Sequence, residues 1–259
     1  MSTVLYSSPV FGPVESRRLG CSLGINLMPA DGKVCTFDCV YCECGFNNAR
    51  HARQRRPSRQ EVSEALQAKL RQMTEAGRLP DVLTFAGNGE PTAHPDFAGI
   101  IDDTIALRNT WCPNAKVSVL SNATQLHRPD VVKALMQIEN NIQKLDTVDQ
   151  QYIRRIDRPT SKAYDVEEVI RQLKGFDGHV IIQTMFMQGS HEGIDVDNTG
   201  DEYVLPWLDA LREIRPMQVM VYTVDRETPS PLLAKAAPPV LDAIAERVRA
   251  AGFPCSVSY

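Results

Sequence analysis

The stretch "DVLTFAGNGEPTAHPDFAGIIDDTIALRNTWCPNAKVSVLSN" (residues 81–122) contains two short apolar runs separated by a helical one. Residues 81–87 read as a strand ended by Gly87, residues 96–107 as a helix and residues 116–122 as a second strand. A crossover helix between two strands of this length implies that the strands are parallel, with a right-handed connection. The same alternation extends in both directions. Strands are expected at 21–28, 141–148, 179–188 and 217–224. Helices are expected from Ser58 onward and at 129–138, 161–176, 202–214 and 238–252. Ser58 with Glu61 three residues later forms a capping box. Val62, Leu66, Leu70 and Met73 then recur at helical spacing. Gly252 falls where the last helix should stop. Six strand–helix units in order predict an α/β fold, as an open doubly wound sheet or an incomplete barrel. The expected organisation is one domain over 1–259, with a core at 21–252 and residues 1–20 as a cap across one end.

The chain has 259 residues and a formal net charge of −4, which argues against a generally basic nucleic-acid coat. No apolar run reaches membrane length; "HVIIQTMFM" (179–187) is too short and carries polar residues. No charged-apolar-small leader is evident, so the expectation is a cytoplasmic protein with reduced thiols.

Four of the seven cysteines crowd into "KVCTFDCVYCECG" (33–45). Cys35, Cys39 and Cys42 make C-x3-C-x2-C. Zinc sites usually draw four ligands, often as paired C-x2-C knuckles. Here the second knuckle is missing, Cys112 and Cys255 are single and distant, and no His lies at knuckle spacing. Three thiolates suit an iron–sulfur cluster with one iron left open. Tyr41 is an aromatic that can stack on a flat ligand. The pattern C-x3-C-x-aromatic-C resembles the signature of the radical S-adenosylmethionine (radical SAM) superfamily. That resemblance implies a partial (β/α)6 barrel of parallel strands. It also implies that Cys35, Cys39 and Cys42 hold a [4Fe–4S] cluster whose fourth iron is chelated by S-adenosylmethionine, with Tyr41 near the adenine. Cys44 lies outside the signature and reads as a spare thiol.

"TFAGNGEPT" (84–92) is similar to the family's GGEP element, which binds the methionine amino group. The resemblance places Gly87, Asn88, Gly89 and Glu90 there, with Asn88 between the glycines as a departure. Glycines permit close approach of the backbone, and Glu90 offers a carboxylate to an ammonium. Ser121 and Asn122 end the third strand, where they serve either turn chemistry or a ribose or carboxylate. Strand alternation puts Ile142, Lys144 and Asp146 on one face. Lys144 and Asp146 are costly there unless they meet each other, the cofactor or substrate. Gln183, Met185 and Met187 share a face of the fifth strand, with Gln183 the polar member able to touch adenosine or substrate. Tyr222 occupies a comparable place on the sixth strand. Arg154, Arg155 and Arg158 read as a solvated helix face rather than an anion site. "ARHARQRRPSRQ" (49–60) reads as a charged loop that could also grip phosphate.

"FGPVESRRLGCSLGINLMP" (11–29), "KLDTVDQQYIRRIDRPT" (144–160) and "VYTVDRETPSP" (221–231) resemble a wyosine-synthase-related branch of radical SAM proteins. The implied chemistry is reductive cleavage of S-adenosylmethionine to a 5′-deoxyadenosyl radical that abstracts hydrogen from substrate. A flavodoxin or ferredoxin is the implied electron donor, and a small molecule is favoured over RNA or protein as substrate. The alternatives are a transfer-RNA-modifying enzyme, a glycyl-radical activase and a non-enzymatic zinc-binding interaction module. No catalytic residue is designated.

Overall fold

The computed structural model describes residues 3–16, 19–49 and 51–259. The elements run in the order β1 (Val10–Ser16), β2 (Gly20–Ile25), α1 (Arg59–Glu75), β3 (Val82–Phe85), α2 (Phe97–Trp111), β4 (Lys116–Ser121), α3 (Pro129–Leu135) and β5 (Asn140–Lys144). They continue with α4 (Gln150–Tyr152), α5 (Val166–Lys174), β6 (Ile181–Met185), β7 (Met187–His191), β8 (Ile194–Asp195) and α6 (Asp201–Ile214). The chain finishes with β9 (Gln218–Tyr222), β10 (Leu233–Lys235), α7 (Pro238–Ala250) and β11 (Cys255–Ser258). A π-helical turn, Ile153–Asp157, follows α4 directly.

The main sheet has the order β1-β2-β3-β4-β5-β6-β9-β11 and curls into a partial barrel. Every pairing from β2 to β11 is parallel, as the alternating pattern requires. Alternate strand residues sort onto two faces. Leu23, Ile25, Leu83, Phe85, Val117, Val119, Ile182, Val219 and Val221 face outward and share the main core with helix residues such as Leu66, Ile101, Trp207 and Leu241. Ile142, Ile181 and Met220 face inward and form a small plug, with Leu120 packed against it. The ligand-accessible end is therefore the one above this plug, at the C-terminal ends of the strands, where α/β folds generally place their sites.

α1 starts as expected: the Ser58 Oγ accepts from Glu61 N at 3.3 Å, and Glu61 accepts from Ser58 N at 2.7 Å. Its buried face is Val62, Leu66, Leu70 and Met73. Gly252 follows the cap of α7 with φ +96°.

Four expectations change. Residues 10–16 do not lie across one end but pair antiparallel with β2 as an edge strand. A seventh parallel strand, β11, adds to β9. The helix expected over 161–176 starts at Val166, because Asp165 caps it by accepting from Glu167 N at 2.9 Å. The run 179–188 is not one strand: the chain leaves the barrel at Phe186, and Met187 begins β7 of a separate antiparallel sheet, β10-β7-β8. Gln183 and Met185 thus lie on β6 and Met187 on β7, although Met185 and Met187 still pack in one buried cluster. No helix among the described residues is long and apolar enough to cross a membrane. Arg50, part of the basic stretch, and Arg17 and Arg18 of the N-terminal segment lie outside the described residues.

Candidate active site

The cysteine loop leaves β2 and is tied down on three sides. On one side Val34 bridges Gly89, and Val34 N donates to Asn88 O at 2.9 Å. On the second, the segment after α4 accepts from the loop: Asp38 N bonds Asp157 O at 3.0 Å and Val40 N bonds Ile156 O at 2.9 Å. From within, the Asn47 side chain accepts from Cys35 N at 3.2 Å and donates to Cys35 O and Phe37 O, both at 3.1 Å. Backbone groups without secondary-structure partners are thereby satisfied.

Cys39 and Cys44 are buried, and Cys35 and Cys42 are partly so. Burial pushes the Cys35 thiol up to about 12 and raises Cys39 as well. Cys42 moves the other way, to about 6, because the Cys44 thiol bonds it and Lys33 lies close, which together outweigh burial. Lys33 is only 4% exposed, and its Nζ donates to Gly45 O at 2.8 Å. Burial disfavours its charge, but Cys42 and its neighbours, with Asp38, outweigh it and raise the pKa. The ammonium also lies 3.6 Å from Asp38 Oδ1. Two further donors point at Cys35 Sγ: Phe37 N at 3.5 Å and Asn122 Nδ2 at 3.6 Å. Among the described residues, no three Cys, His, Asp or Glu side chains close on a single-ion site.

The glycine turn after β3 is shaped by contact. Gly87 and Gly89 have φ of +123° and +149°. A Cβ on Gly89 would stand 1.8 Å from the Val34 carbonyl oxygen. The intervening Asn88 turns its side chain away from the cysteines: it accepts from Tyr6 N and donates to Tyr6 O and Pro29 O, each at 2.8 Å. Glu90 is 2% exposed. It accepts from Thr92 N at 3.0 Å, from Thr92 Oγ1 at 2.5 Å and from Asn122 N at 2.7 Å. Burial raises its pKa against these bonds and one from Ser121. Glu90 thus joins the β3 turn to the end of β4. Asn122 continues the link, since its Nδ2 also donates to Thr36 Oγ1 at 2.8 Å.

Lys144, Asp146 and Tyr41 meet above the barrel plug. The Lys144 ammonium contacts the Tyr41 hydroxyl and Asp146 Oδ2, and Tyr41 donates to the same Asp146 oxygen. Asp146 Oδ1 accepts from Met185 N at 2.9 Å. A fourth member is Asp157, 2.9 Å from Lys144 Nζ and 3.1 Å from the Tyr41 hydroxyl. Burial opposes the charge on Lys144, but the two carboxylates overcome it and raise its pKa well above the usual value. Burial, Asp146 and Asp157 raise Tyr41 in turn. Burial lifts Asp157 to about 6 despite Lys144. Gln183 stands beside Lys144 in register on β6 and is 7% exposed, and Tyr222 pairs with Met185 across β9.

Several of these groups escape sequence reading. Asp157 and Arg158 sit in a segment expected to be a solvated face. Arg154 and Arg155 are exposed as expected, whereas Arg158 packs on the cysteine loop, 3.3 Å from Asp38 and 4.8 Å over the Phe46 ring. Lys33 and Asn47 flank the motif with no distinguishing pattern. In the basic stretch, Arg55 pairs with Glu61, Arg56 donates to Ala93 O at 3.0 Å and Arg59 pairs with Asp103.

Residues 31–197 match the Radical SAM superfamily, and the chain belongs to it. Members of this superfamily are enzymes that use a [4Fe–4S] cluster and S-adenosylmethionine. A UPF0026 protein of Helicobacter pylori strain J99 is 29% identical over 221 residues, covering 84% of this chain and 66% of that protein. The chain thus spans just under two thirds of that relative's length. Among solved structures, a radical SAM methyltransferase from Sphaerobacter thermophilus superposes with TM-score 0.65 at 15% identity, over 92% of this chain and 66% of that one. TYW1 with a lysine–pyruvate adduct bound superposes with TM-score 0.61 at 16% identity, over 88% and 73%. These two likenesses establish the shared fold.

Proposed function

We propose that Cys35, Cys39 and Cys42 would hold the [4Fe–4S] cluster by their thiolates, with S-adenosylmethionine as its remaining ligand. The observation that carries this reading is the pair of amide donors aimed at Cys35 Sγ, Phe37 N and Asn122 Nδ2, on a loop that also buries the Lys33 ammonium. Such donors favour thiolate sulfur, the form that binds iron. A zinc module would need its donors to close on one ion. When bound, the pair supplies reductive cleavage of the sulfonium and a 5′-deoxyadenosyl radical that takes hydrogen from substrate.

The chain's own residues then divide the work. Gly87 and Gly89 bring backbone close to the cysteine loop and offer carbonyl oxygen to the methionine ammonium. Glu90 fixes that turn to β4 and adds negative charge beside it. Asn88 serves by anchoring the turn from behind. Asn122 and Ser121 hold the neighbouring strand end. Tyr41 presents its ring to the adenine, and Lys144 and Asp146 meet the cofactor's carboxylate and ribose or the substrate. Gln183 lines the same mouth. Lys144 is paired with Asp146 and Asp157.

Radical SAM enzymes need a reductant, and a flavodoxin or ferredoxin is the proposed donor. The proposed substrate is a small molecule, since Arg55, Arg56 and Arg59 are engaged within the protein rather than arrayed for phosphate.

The test is anaerobic reconstitution with iron, sulfide, reductant and S-adenosylmethionine. Close to four irons per chain and 5′-deoxyadenosine are expected, and both are lost in Cys39→Ala. Zinc bound without iron or sulfide in the anaerobically purified protein would overturn the reading.

A further inference from the structure

The segment "IRRIDRPT" (153–160) bonds along the cysteine loop more closely than any role assigned above requires. Four backbone hydrogen bonds join them: Val40 N to Ile156 O at 2.9 Å, Asp38 N to Asp157 O at 3.0 Å and to Arg158 O at 3.1 Å, and Thr160 N to Thr36 O at 2.9 Å. Phe37 and Pro159 add an antiparallel bridge. The carbonyls of Ile156 and Asp157 lie in the last turn of the π-helix, where a helix leaves acceptors unpaired, and the loop amides take them up. Arg158 reverses the chain in the left-handed conformation, φ +53°, and its guanidinium returns to Asp38. π-Helical turns are uncommon and tend to mark functional sites.

Asp157 links this backbone clamp to the side chains of the mouth. Its carboxylate is 2% exposed in residue terms and touches both the Tyr41 hydroxyl and the Lys144 ammonium. Tyr41 lies between Cys39 and Cys42, so the carboxylate reaches the loop by side chain as well as by backbone. Lys144 already has Asp146. A second buried carboxylate on one ammonium leaves the group with excess negative charge, which is unfavourable as a stability device alone. Through Tyr41 and the Val40 N to Ile156 O bond, this charged pair is held beside the turn that carries Cys39 and Cys42.

We propose that Asp157 is a positioning residue for the radical chemistry: it fixes the Tyr41 ring and the Cys39–Cys42 turn, and its charge sets the reduction potential at that turn. This rests on the cysteine assignment above. A lone structural strut would hold the loop without moving the potential; a charged one does both.

The experiment compares Asp157→Asn, Tyr41→Phe and the double variant. In the cluster-free proteins, hydrogen exchange at the Asp38 and Val40 amides is read by mass spectrometry. In the reconstituted proteins, iron content and cluster midpoint potential are read by potentiometric titration followed by electron paramagnetic resonance. Asp157→Asn is expected to bind iron as the wild type does. It should exchange the two amides about tenfold faster, and its potential should shift to a more positive value because a negative charge is gone. Tyr41→Phe should speed exchange similarly without that shift. The double variant should exchange no faster than either single variant, since both act through one contact. Wild-type exchange in Asp157→Asn, multiplied effects in the double variant or an unmoved potential would overturn the proposal. If the wild type takes no iron, the cysteine assignment fails, and the exchange data on cluster-free protein still judge the clamp.

Discussion

Gly89→Ala tests how tightly the glycine turn and the cysteine loop are locked together. The added methyl would lie 1.8 Å from the Val34 carbonyl oxygen. An ordinary carbon–oxygen contact needs about 3.3 Å, so backbone must move by roughly 1.5 Å, and no side chain can absorb the shift. The displaced residue is the one before Cys35. Loss of the Val34 N to Asn88 O bond costs about 1 kcal/mol. Forcing alanine to φ +149° adds roughly 1–3 kcal/mol. The sum, about 2–4 kcal/mol, corresponds to a fall in melting temperature of roughly 5–15 °C for a chain of this size. Gly77→Ala is the control, because Gly77 also has positive φ, +66°, but a Cβ there meets nothing within 4 Å. It should cost only about 1 kcal/mol. The assay is thermal melting of cluster-free protein, followed by iron content after anaerobic reconstitution. Gly89→Ala should melt lower than Gly77→Ala and take up less iron. Equal melting and equal iron in the two variants would refute the claim that the turn braces the loop.

Three other outcomes are expected. Ser58→Ala removes the cap of α1 and should lower stability by about 1 kcal/mol in chemical unfolding, with iron uptake unchanged. Lys144→Met strands two buried carboxylates and should cost roughly 3–5 kcal/mol near neutral pH, with the loss shrinking in acid as Asp157, already lifted to about 6 by burial, takes up a proton; a pH-independent loss would contradict the charge argument. His94 is buried, and burial holds its pKa below 6.5; its Nε2 donates to Pro57 O at 2.9 Å and its Nδ1 accepts from Asp96 N at 3.1 Å. The neutral ring is the folded form, whereas the unfolded chain takes up a proton below pH 6.5. This group therefore stabilises the fold above that pH and the stability is lost as pH falls. The difference in melting temperature between pH 7.5 and pH 5.5 should narrow in His94→Gln.

The strands and helices that build the barrel were legible because each buries a regular stripe. Leu66 and Leu70 repeat at helical spacing, and Val117 and Val119 alternate at strand spacing, and both patterns respond to the same outer core. β11 was hidden because "CSVS" is four residues long with two serines, and only its neighbour β9 makes it a strand. The break at Phe186 was hidden because alternation continues through Met187, so the pattern cannot register which sheet receives the residue. In the site, the C-x3-C-x2-C spacing and the paired Lys144 and Asp146 were visible as costly residues in unusual places. Asp157 was not, since it sits in an arginine-rich run that includes the exposed Arg154 and Arg155, and its burial comes with the π-helical turn Ile153–Asp157. Asn88 stood out as a departure between two glycines, but its partners, Tyr6 and Pro29, are 82 and 59 residues away and only folding brings them near.

The bonds between Asn88 and Tyr6 carry a practical consequence for anyone handling the protein. A protease that nicks the chain ahead of Ser8 and frees Tyr6 would leave the buried Asn88 side-chain amide only its bond to Pro29 O, at a cost of about 1–3 kcal/mol, immediately behind the turn that braces the thiols. A preparation that gives good yield and poor iron uptake should therefore have its amino terminus sequenced before the reconstitution conditions are blamed.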